Sequence, residues 1–231
     1  MKNDIVSRKQ RRVEILMKWL QTNFKLSEVE QISIAKISWN LERQIQTIYQ
    51  LYSALNEKID FEEDTVLLKY EKELSKLIVD DNTIELENDR LKELLTVMIE
   101  VFEEILPIGS VVTINREMLP DMDDLDSMEG VRFIIVDRFL KKKDTEEYVP
   151  YCGVLYPFGS LADKRKIYFT PLAIDNVIFR GYEDSLDEAY ICTMKDHIVE
   201  QNLYSIAFSL NEQSFGNGGE EYDKISNPSA N

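Results

Sequence analysis

Histidine, cysteine and clustered carboxylates are the side chains that most often start chemistry, and this sequence is poor in the first two. Its single histidine, His197, lies in a stretch with helical periodicity. No G-x-S-x-G or H-E-x-x-H pattern surrounds a nucleophile or a pair of metal ligands. Cys152 and Cys192 stand far apart and form no C-x-x-C, which disfavours zinc binding and thiol exchange. The G-N-G-G run near the C-terminus has neither the lysine nor the following helix that a phosphate cradle needs. The acidic segment Met118–Gly130 brings Asp121, Asp123 and Asp126 close in sequence, and carboxylate oxygens suit calcium. An EF-hand, however, needs Gly at its sixth position and Glu at its twelfth. Counted from Asp121, those positions hold Asp126 and Arg132. The segment reads as a solvated acidic loop that could steer a basic partner. The expectation is no catalytic residue, no metal, no cofactor and no enzymatic activity.

Binding is better supplied. Tyr and Phe carry much of the energy at protein interfaces. The hairpin-like string Tyr151–Gly159 holds Tyr151, Tyr156 and Phe158, and Tyr182 follows in a later string. Strand alternation puts Tyr151, Gly153 and Leu155 on one face and Cys152, Val154 and Tyr156 on the other, so some of these rings must be core. Trp39 lies on an amphipathic helix, where a large ring serves either core or contact. The candidate partner-binding residues are therefore Tyr151, Tyr156, Phe158, Tyr182 and Trp39.

The elements that must position these residues follow from where Gly and Pro fall. All 8 Gly and all 6 Pro of the 231 residues lie at or beyond Pro107. Gly costs about 1 kcal/mol and Pro about 3 kcal/mol inside a helix, so residues 1–105 read as a helical region. A first helix covers about 4–22, with Ile5, Val13, Leu16 and Leu20 inward. Ser27 and Glu30 form a capping box. It opens a stripe of Ile34, Ile37, Leu41, Ile48, Leu51 and Leu55 to about Ile59. Asp64 is expected to cap a third helix carrying Leu67, Leu68, Leu74 and Leu77. Asn82 and Glu85 offer a capping box for a last helix with Leu91, Leu94, Leu95, Met98, Val101, Phe102 and Ile105. Short connections favour an antiparallel hairpin or bundle.

Residues 106–210 read as a small antiparallel sheet or barrel with a C-terminal helix. The strands are Ser110–Arg116, Val131–Leu140, Tyr148–Tyr156, Lys166–Thr170 and Asn176–Tyr182. Pro150 and Gly153 imply an edge strand or a bulge. Ser185 and Glu188 form a capping box for the helix, which runs to about Asn202 with Leu210 as its outer bound. Residues 211–231 read as a flexible tail. The fold class is α+β.

The formal net charge is −16, which opposes binding to nucleic acid or anionic membrane. The basic cluster Arg8, Lys9, Arg11 and Arg12 is the local exception, and it suits either anionic ligands or pairing within the protein. No apolar run reaches the roughly 20 residues of a membrane span, and no secretory signal opens the chain. A cytoplasmic protein is expected.

Four strings then carry a resemblance: L-P-I-G-S-V-V (Leu106–Val112), Y-C-G-V-L-Y-P-F-G (Tyr151–Gly159), I-Y-F-T (Ile167–Thr170) and V-I-F-R-G-Y-E-D (Val177–Asp184). In this order they resemble a small domain-of-unknown-function family encoded in Gram-positive type VII secretion loci. Those loci also encode LXG-type toxins and small helical partners. The resemblance covers about 106–188. The acidic insertion and the helical residues in front depart from it, and it supplies no catalytic residues. It implies an accessory role in toxin export, as a chaperone or targeting adaptor that binds the helical N-terminal region of a cognate toxin. None of the 11 Tyr has Asp or Glu four residues on, so the Y-x-x-x-D/E export motif is absent, which favours a protein that stays behind. The alternative is an immunity protein that covers the toxic domain, where a strongly acidic chain would suit a basic toxin.

Overall fold

The computed structural model describes residues 2–39, 45–63, 68–71, 76–79, 82–115, 131–162, 165–208, 215–216 and 222–225. The chain forms two compact units, Met1–Glu104 and Ile105–Asn231. The architecture is α+β, with helices in the first unit, an antiparallel sheet in the second and a helix near its C-terminal end.

The first unit opens with α1 (Lys2–Asn23), α2 (Glu28–Ser38) and α3 (Ile45–Glu57). The Ser27–Glu30 capping box forms as read. The Ser27 N–H donates to Glu30 Oε2 at 2.7 Å and the Glu30 N–H donates to Ser27 Oγ at 3.3 Å. Leu16, Leu20, Ile34, Ile48, Leu51 and Leu55 are buried, as their spacing requires. Leu41 lies outside the described residues.

The chain then departs from the helical reading. Strands β1 (Phe61–Glu63), β2 (Leu68–Glu71), β3 (Lys76–Val79) and β4 (Asn82–Glu85) form a four-stranded antiparallel meander in sequence order. The expected third helix is absent from its described part, and the Asn82–Glu85 capping box is a strand instead. Lack of Gly and Pro permits a helix, but it permits strands equally, and pairing between segments decides which forms. Val79 pairs directly with Asn82. Tyr70 of β2 is fully buried, and its hydroxyl donates to Asn88 Oδ1 at 3.0 Å.

Asn88 begins α4 (Asn88–Phe102), whose Leu91, Leu94, Leu95, Met98, Val101 and Phe102 are all buried. Arg90 donates to the Asn23 carbonyl near one end, and Arg12 donates to the Phe102 carbonyl at 3.3 Å near the other. These contacts fix α1 and α4 as antiparallel. Arg12 is therefore buried rather than part of a solvated basic face, and its charge sits where the α4 dipole is negative.

The second unit is built on a long hairpin. Strand β5 (Val111–Ile114) leads to β6 (Arg132–Lys142), which pairs with β7 (Glu147–Tyr156). A short helix, α5 (Gly159–Ala162), precedes β8 (Lys166–Phe169) and β9 (Ile174–Phe179). Helix α6 (Ser185–Glu200) follows, then the short strands β10 (Tyr204–Ser205), β11 (Phe215–Gly216) and β12 (Tyr222–Lys224). The main strand order is β11-β8-β7-β6-β5-β9, with β10 on β7 and β12 on β6. Ile191, Met194 and Ile198 of α6 join Val112, Phe133, Ile135, Leu155 and Phe169 of the sheet in one core.

Three expectations need correction here. Strand β7 is central, not an edge. Pro150 is tolerated because β10 pairing ends at Tyr148 and β8 pairing begins at Tyr151, so it lies in the gap between partners. The bulge sits on the neighbour: Val136 is the extra residue of β6, opposite Gly153 and Cys152. The tail is not simply loose, because β11 and β12 pair with the sheet, Ile225 is buried and Tyr222 stacks on Tyr168 at 4.2 Å. Finally, Asp184 caps α6 in place of Ser185. Its side chain accepts from the Leu186 and Asp187 N–H groups, both at 3.0 Å, which places Ser185 inside the first turn.

Gly153 has a specific reason to be glycine. A Cβ there would lie 2.9 Å from the Phe169 ring and 3.4 Å from the Ile134 carbonyl. Gly153→Ala is expected to lower stability by about 1–3 kcal/mol through overpacking. Adding Phe169→Leu should recover part of that loss, measured by denaturant unfolding. Equal stability of Gly153→Ala and the parent would contradict this packing.

Candidate functional site

The L-P-I-G-S string turns the chain into β5. The Ser110 N–H donates to the Pro107 carbonyl at 3.2 Å and Gly109 has φ +86°, the pattern of a type II turn. The turn is stitched to β6, since the Gly109 N–H donates to the Ile135 carbonyl at 2.8 Å and the Ile135 N–H to the Ser110 carbonyl at 2.9 Å. Gly181, from the V-I-F-R-G-Y-E-D string, packs directly on it. A Cβ at Gly181 would lie 2.3 Å from the Ile108 carbonyl oxygen and 2.9 Å from Ser110 N. The Gly181 N–H donates to Ser110 Oγ at 3.0 Å, and that hydroxyl donates on to the Pro107 carbonyl at 2.7 Å. Two of the strings that carry the family resemblance thus form one corner.

Buried polar groups lock the same corner from inside. The Leu106 N–H donates to the Tyr151 hydroxyl at 2.9 Å, and Arg138 Nη1 approaches the Leu106 carbonyl at 3.4 Å. Arg138, from β6, pairs with Asp187 of α6 at 2.5 and 3.3 Å, and its guanidinium lies 5.6 Å from the Tyr190 ring centre. Such a bidentate pair fixes geometry as well as sign.

The segments that meet at this corner carry several exposed apolar residues. Val177, Ile178 and Phe179 of the edge strand β9 are exposed, and so are Ile108 in the turn, Tyr182 after Gly181 and Leu186 at the start of α6. Tyr182 and Leu186 are 81% and 77% exposed, values that no core role explains. Pairing of β9 with β5 slips twice, between Val111 and Val112 and between Thr113 and Ile114, so the edge carries two bulges. Asp175, Glu183 and Asp184 lie on the same segments, and Arg180 is held by Glu183 at 2.7 Å.

The candidate contact residues separate. Tyr151 is fully buried, its ring 5.4 Å from Phe169 and its hydroxyl bound to Leu106, so it is a core residue and not a contact. Tyr156 and Phe158 are exposed together at the end of β7, where the Tyr156–Pro157 peptide is cis. Tyr182 lies across the sheet from them, with β6 and β5 between β7 and β9. Trp39 is exposed in the first unit, as are Val29 and Ile32 of α2. Val177, Ile178, Phe179, Ile108 and Leu186 were not among the residues picked out from sequence. V-I-F is apolar on both faces, which reads as a buried central strand.

The residues weighed for chemistry stay apart. His197 is in the last turn of α6. Cys152 is buried, and burial pushes its thiol up to about 11, with Asp137 adding to the rise and Lys166 opposing it. Among the described residues no group of three His, Cys, Asp or Glu side chains is placed to hold a metal. The acidic segment 118–130 lies outside the described residues. Among the described residues no helix is long and apolar enough to cross a membrane.

Residues 105–190 match the model of the family described as Domain of unknown function (DUF4176). The match takes in the Pro107–Ser110 turn, the β6–β7 hairpin, the exposed edge and the start of α6. No curated protein and no solved structure matches the chain.

Two measurements follow. Phe179→Ala and Tyr182→Ala should each change stability by no more than about 0.5 kcal/mol, as exposed positions do. Tyr151→Ala should cost about 3–5 kcal/mol. Equal costs in chemical denaturation would contradict the separation of these exposed positions from the core. For Cys152, burial holds the folded pKa at about 11, above the ordinary thiol value of 9.0. Its contribution to stability is therefore complete below about pH 9 and is lost as pH rises toward 11. Cys152→Ala should flatten that part of the pH–stability curve; an unchanged slope would contradict it.

Proposed function

We propose that the protein is a cytoplasmic accessory protein of a type VII secretion system, a chaperone or targeting adaptor that binds a cognate LXG-type toxin through the toxin's N-terminal helical region. The observation that carries a binding role is the run of exposed apolar residues Val177, Ile178, Phe179, Tyr182 and Leu186, with Ile108, on the segments that meet at a rigid corner. Large apolar side chains concentrated and exposed in one segment mark an interaction site. The secretion context comes from the resemblance of the four strings, and the match of residues 105–190 to a family of unknown function is compatible with it. Small helical proteins of the same locus are further candidate partners. The physical task is plain: an amphipathic toxin helix self-associates through its apolar stripe unless another surface covers it until export.

The test is co-expression with a toxin encoded beside the gene. A stable complex should form, survive deletion of the toxin's C-terminal toxic domain, and be lost on deletion of its helical N-terminal region. Cells lacking the protein should make the toxin but secrete little of it, without harm to themselves. Binding that maps to the toxic domain, with cell death when the protein is absent, would replace this reading with immunity. The net charge of −16 would then serve to attract a basic toxic domain. Normal secretion without any toxin complex would contradict both.

A further inference from the structure

We propose that the edge of β6 beyond β5 is a docking groove for an extended segment of a partner protein, of the pattern aromatic–acidic–basic–aliphatic, and that Tyr222–Ile225 of this chain fill it when no such segment is bound. The proposal goes beyond the secretion reading and does not rest on it. Three observations carry it.

The first is the stretch of edge itself. Strand β7 pairs along one side of β6, from Arg132 to Lys141. On the other side β5 covers only Arg132–Ile134, and β12 covers Leu140–Lys142. Extended peptides add to such a stretch, with backbone bonds giving affinity and side-chain pockets giving specificity. The backbone here is set for an occupant. Phe139 has φ +55°, in the left-handed region where a residue other than glycine is strained. It stands opposite Pro150, between the pairs Arg138–Tyr151 and Leu140–Val149, and proline has no N–H to give. The Phe139 carbonyl accepts from the Ile225 N–H at 3.4 Å.

The second is the fit, residue by residue. The Tyr222 ring stacks on Tyr168 with centres 4.2 Å apart. Asp223 lies directly across the strand pair from Lys141, which also reaches Glu146 at 3.5 Å. Lys224 Nζ is 3.4 Å from Asp137 Oδ2. Ile225 is buried in the same core as Phe139 and Tyr148. Four consecutive residues thus meet four complements, which defines the pattern the groove accepts.

The third is where the two parts come from. Asp137, Phe139, Lys141 and Tyr168 fall within residues 105–190, which match the family model, and Tyr222–Ile225 fall outside it. The groove belongs to the family domain and its occupant to the flanking chain. The hold is short, since β12 has 3 residues and the Lys224 side chain is 77% exposed. A pairing of this length opens locally at little cost. The tethered segment has only its effective concentration as an advantage over a free one of the same pattern. A net charge of −16 opposes a second copy as the source of that segment.

The test uses the full chain and a fluorescein-labelled peptide E-Y-D-K-I-S, the sequence at 221–226, read by fluorescence anisotropy. Ile225→Ala empties the groove and should bind the peptide about tenfold tighter than the parent, whose own segment competes. Because Ile225 is buried, Tyr222→Ser with Lys224→Glu opens the groove by a second route that leaves the core alone, and it should also bind tighter than the parent. The peptide E-Y-D-K-D-S should bind neither opened variant. Asp137→Lys added to either should weaken E-Y-D-K-I-S several-fold, and E-Y-D-E-I-S should recover the loss. The proposal is overturned if E-Y-D-K-I-S binds neither opened variant, if the parent binds it equally well, if E-Y-D-K-D-S binds as tightly, or if Asp137→Lys changes nothing. Dimers of the parent formed by exchange of this segment would overturn it in favour of a second copy. The presence or absence of a toxin complex alters none of these results.

Discussion

The second unit depends on how closely the chain at Gly181 approaches the Pro107–Ser110 turn. A side chain there would lie 2.3 Å from a backbone oxygen and 2.9 Å from a backbone nitrogen, neither of which can swing aside. Only glycine permits the approach. Ser110 then joins the two segments with one hydroxyl, accepting from Gly181 and donating to Pro107. The result is a corner in which the start of β5 and the end of β9 are fixed to each other at both backbone and side chain.

Behind the corner, Arg138 and Tyr151 connect it to the body of the unit. Leu106 gives its N–H to Tyr151 and approaches Arg138 with its carbonyl, while Arg138 reaches Asp187 at the start of α6. Removing one partner of a largely buried ion pair costs about 3–5 kcal/mol, because the other charge is stranded. The pair therefore fixes where α6 begins, and with it the position of Leu186. Core and surface are thus mechanically linked: polar contacts inside hold apolar side chains outside. A surface held this way loses little entropy when a partner binds, which favours affinity.

The legible part of the fold was its local pattern. Leucine and isoleucine spacing located α1 and α4, the stripe read as one helix to about Ile59 covers two helices, α2 and α3, and the Ser27–Glu30 box forms as read. Turn residues located the five longer segments of the sheet. Three features depended on distant pairing and were not legible. Residues 61–85 carry spacing compatible with a helix, yet their strands pair into a meander that seats Tyr70 against Asn88. The residues Phe215, Tyr222 and Ile225 look like isolated apolar positions in a polar tail until β8 and β6 supply edges for them. Among the contact candidates, Tyr182 was found as an aromatic residue within one of the four strings. Phe179 was missed because nothing local says that its strand ends the sheet. Tyr151 was included because strand alternation does not say which face is the core.

The central claim is that the Gly181 contact holds β9 and the start of α6 in place. Hydrogen exchange of the parent and of Gly181→Ala, read amide by amide, tests it most directly. The account predicts that protection falls in β9 and in the first turn of α6, while the β6–β7 hairpin keeps most of its own. Unchanged protection in β9, or a uniform loss across the whole sheet, would contradict it.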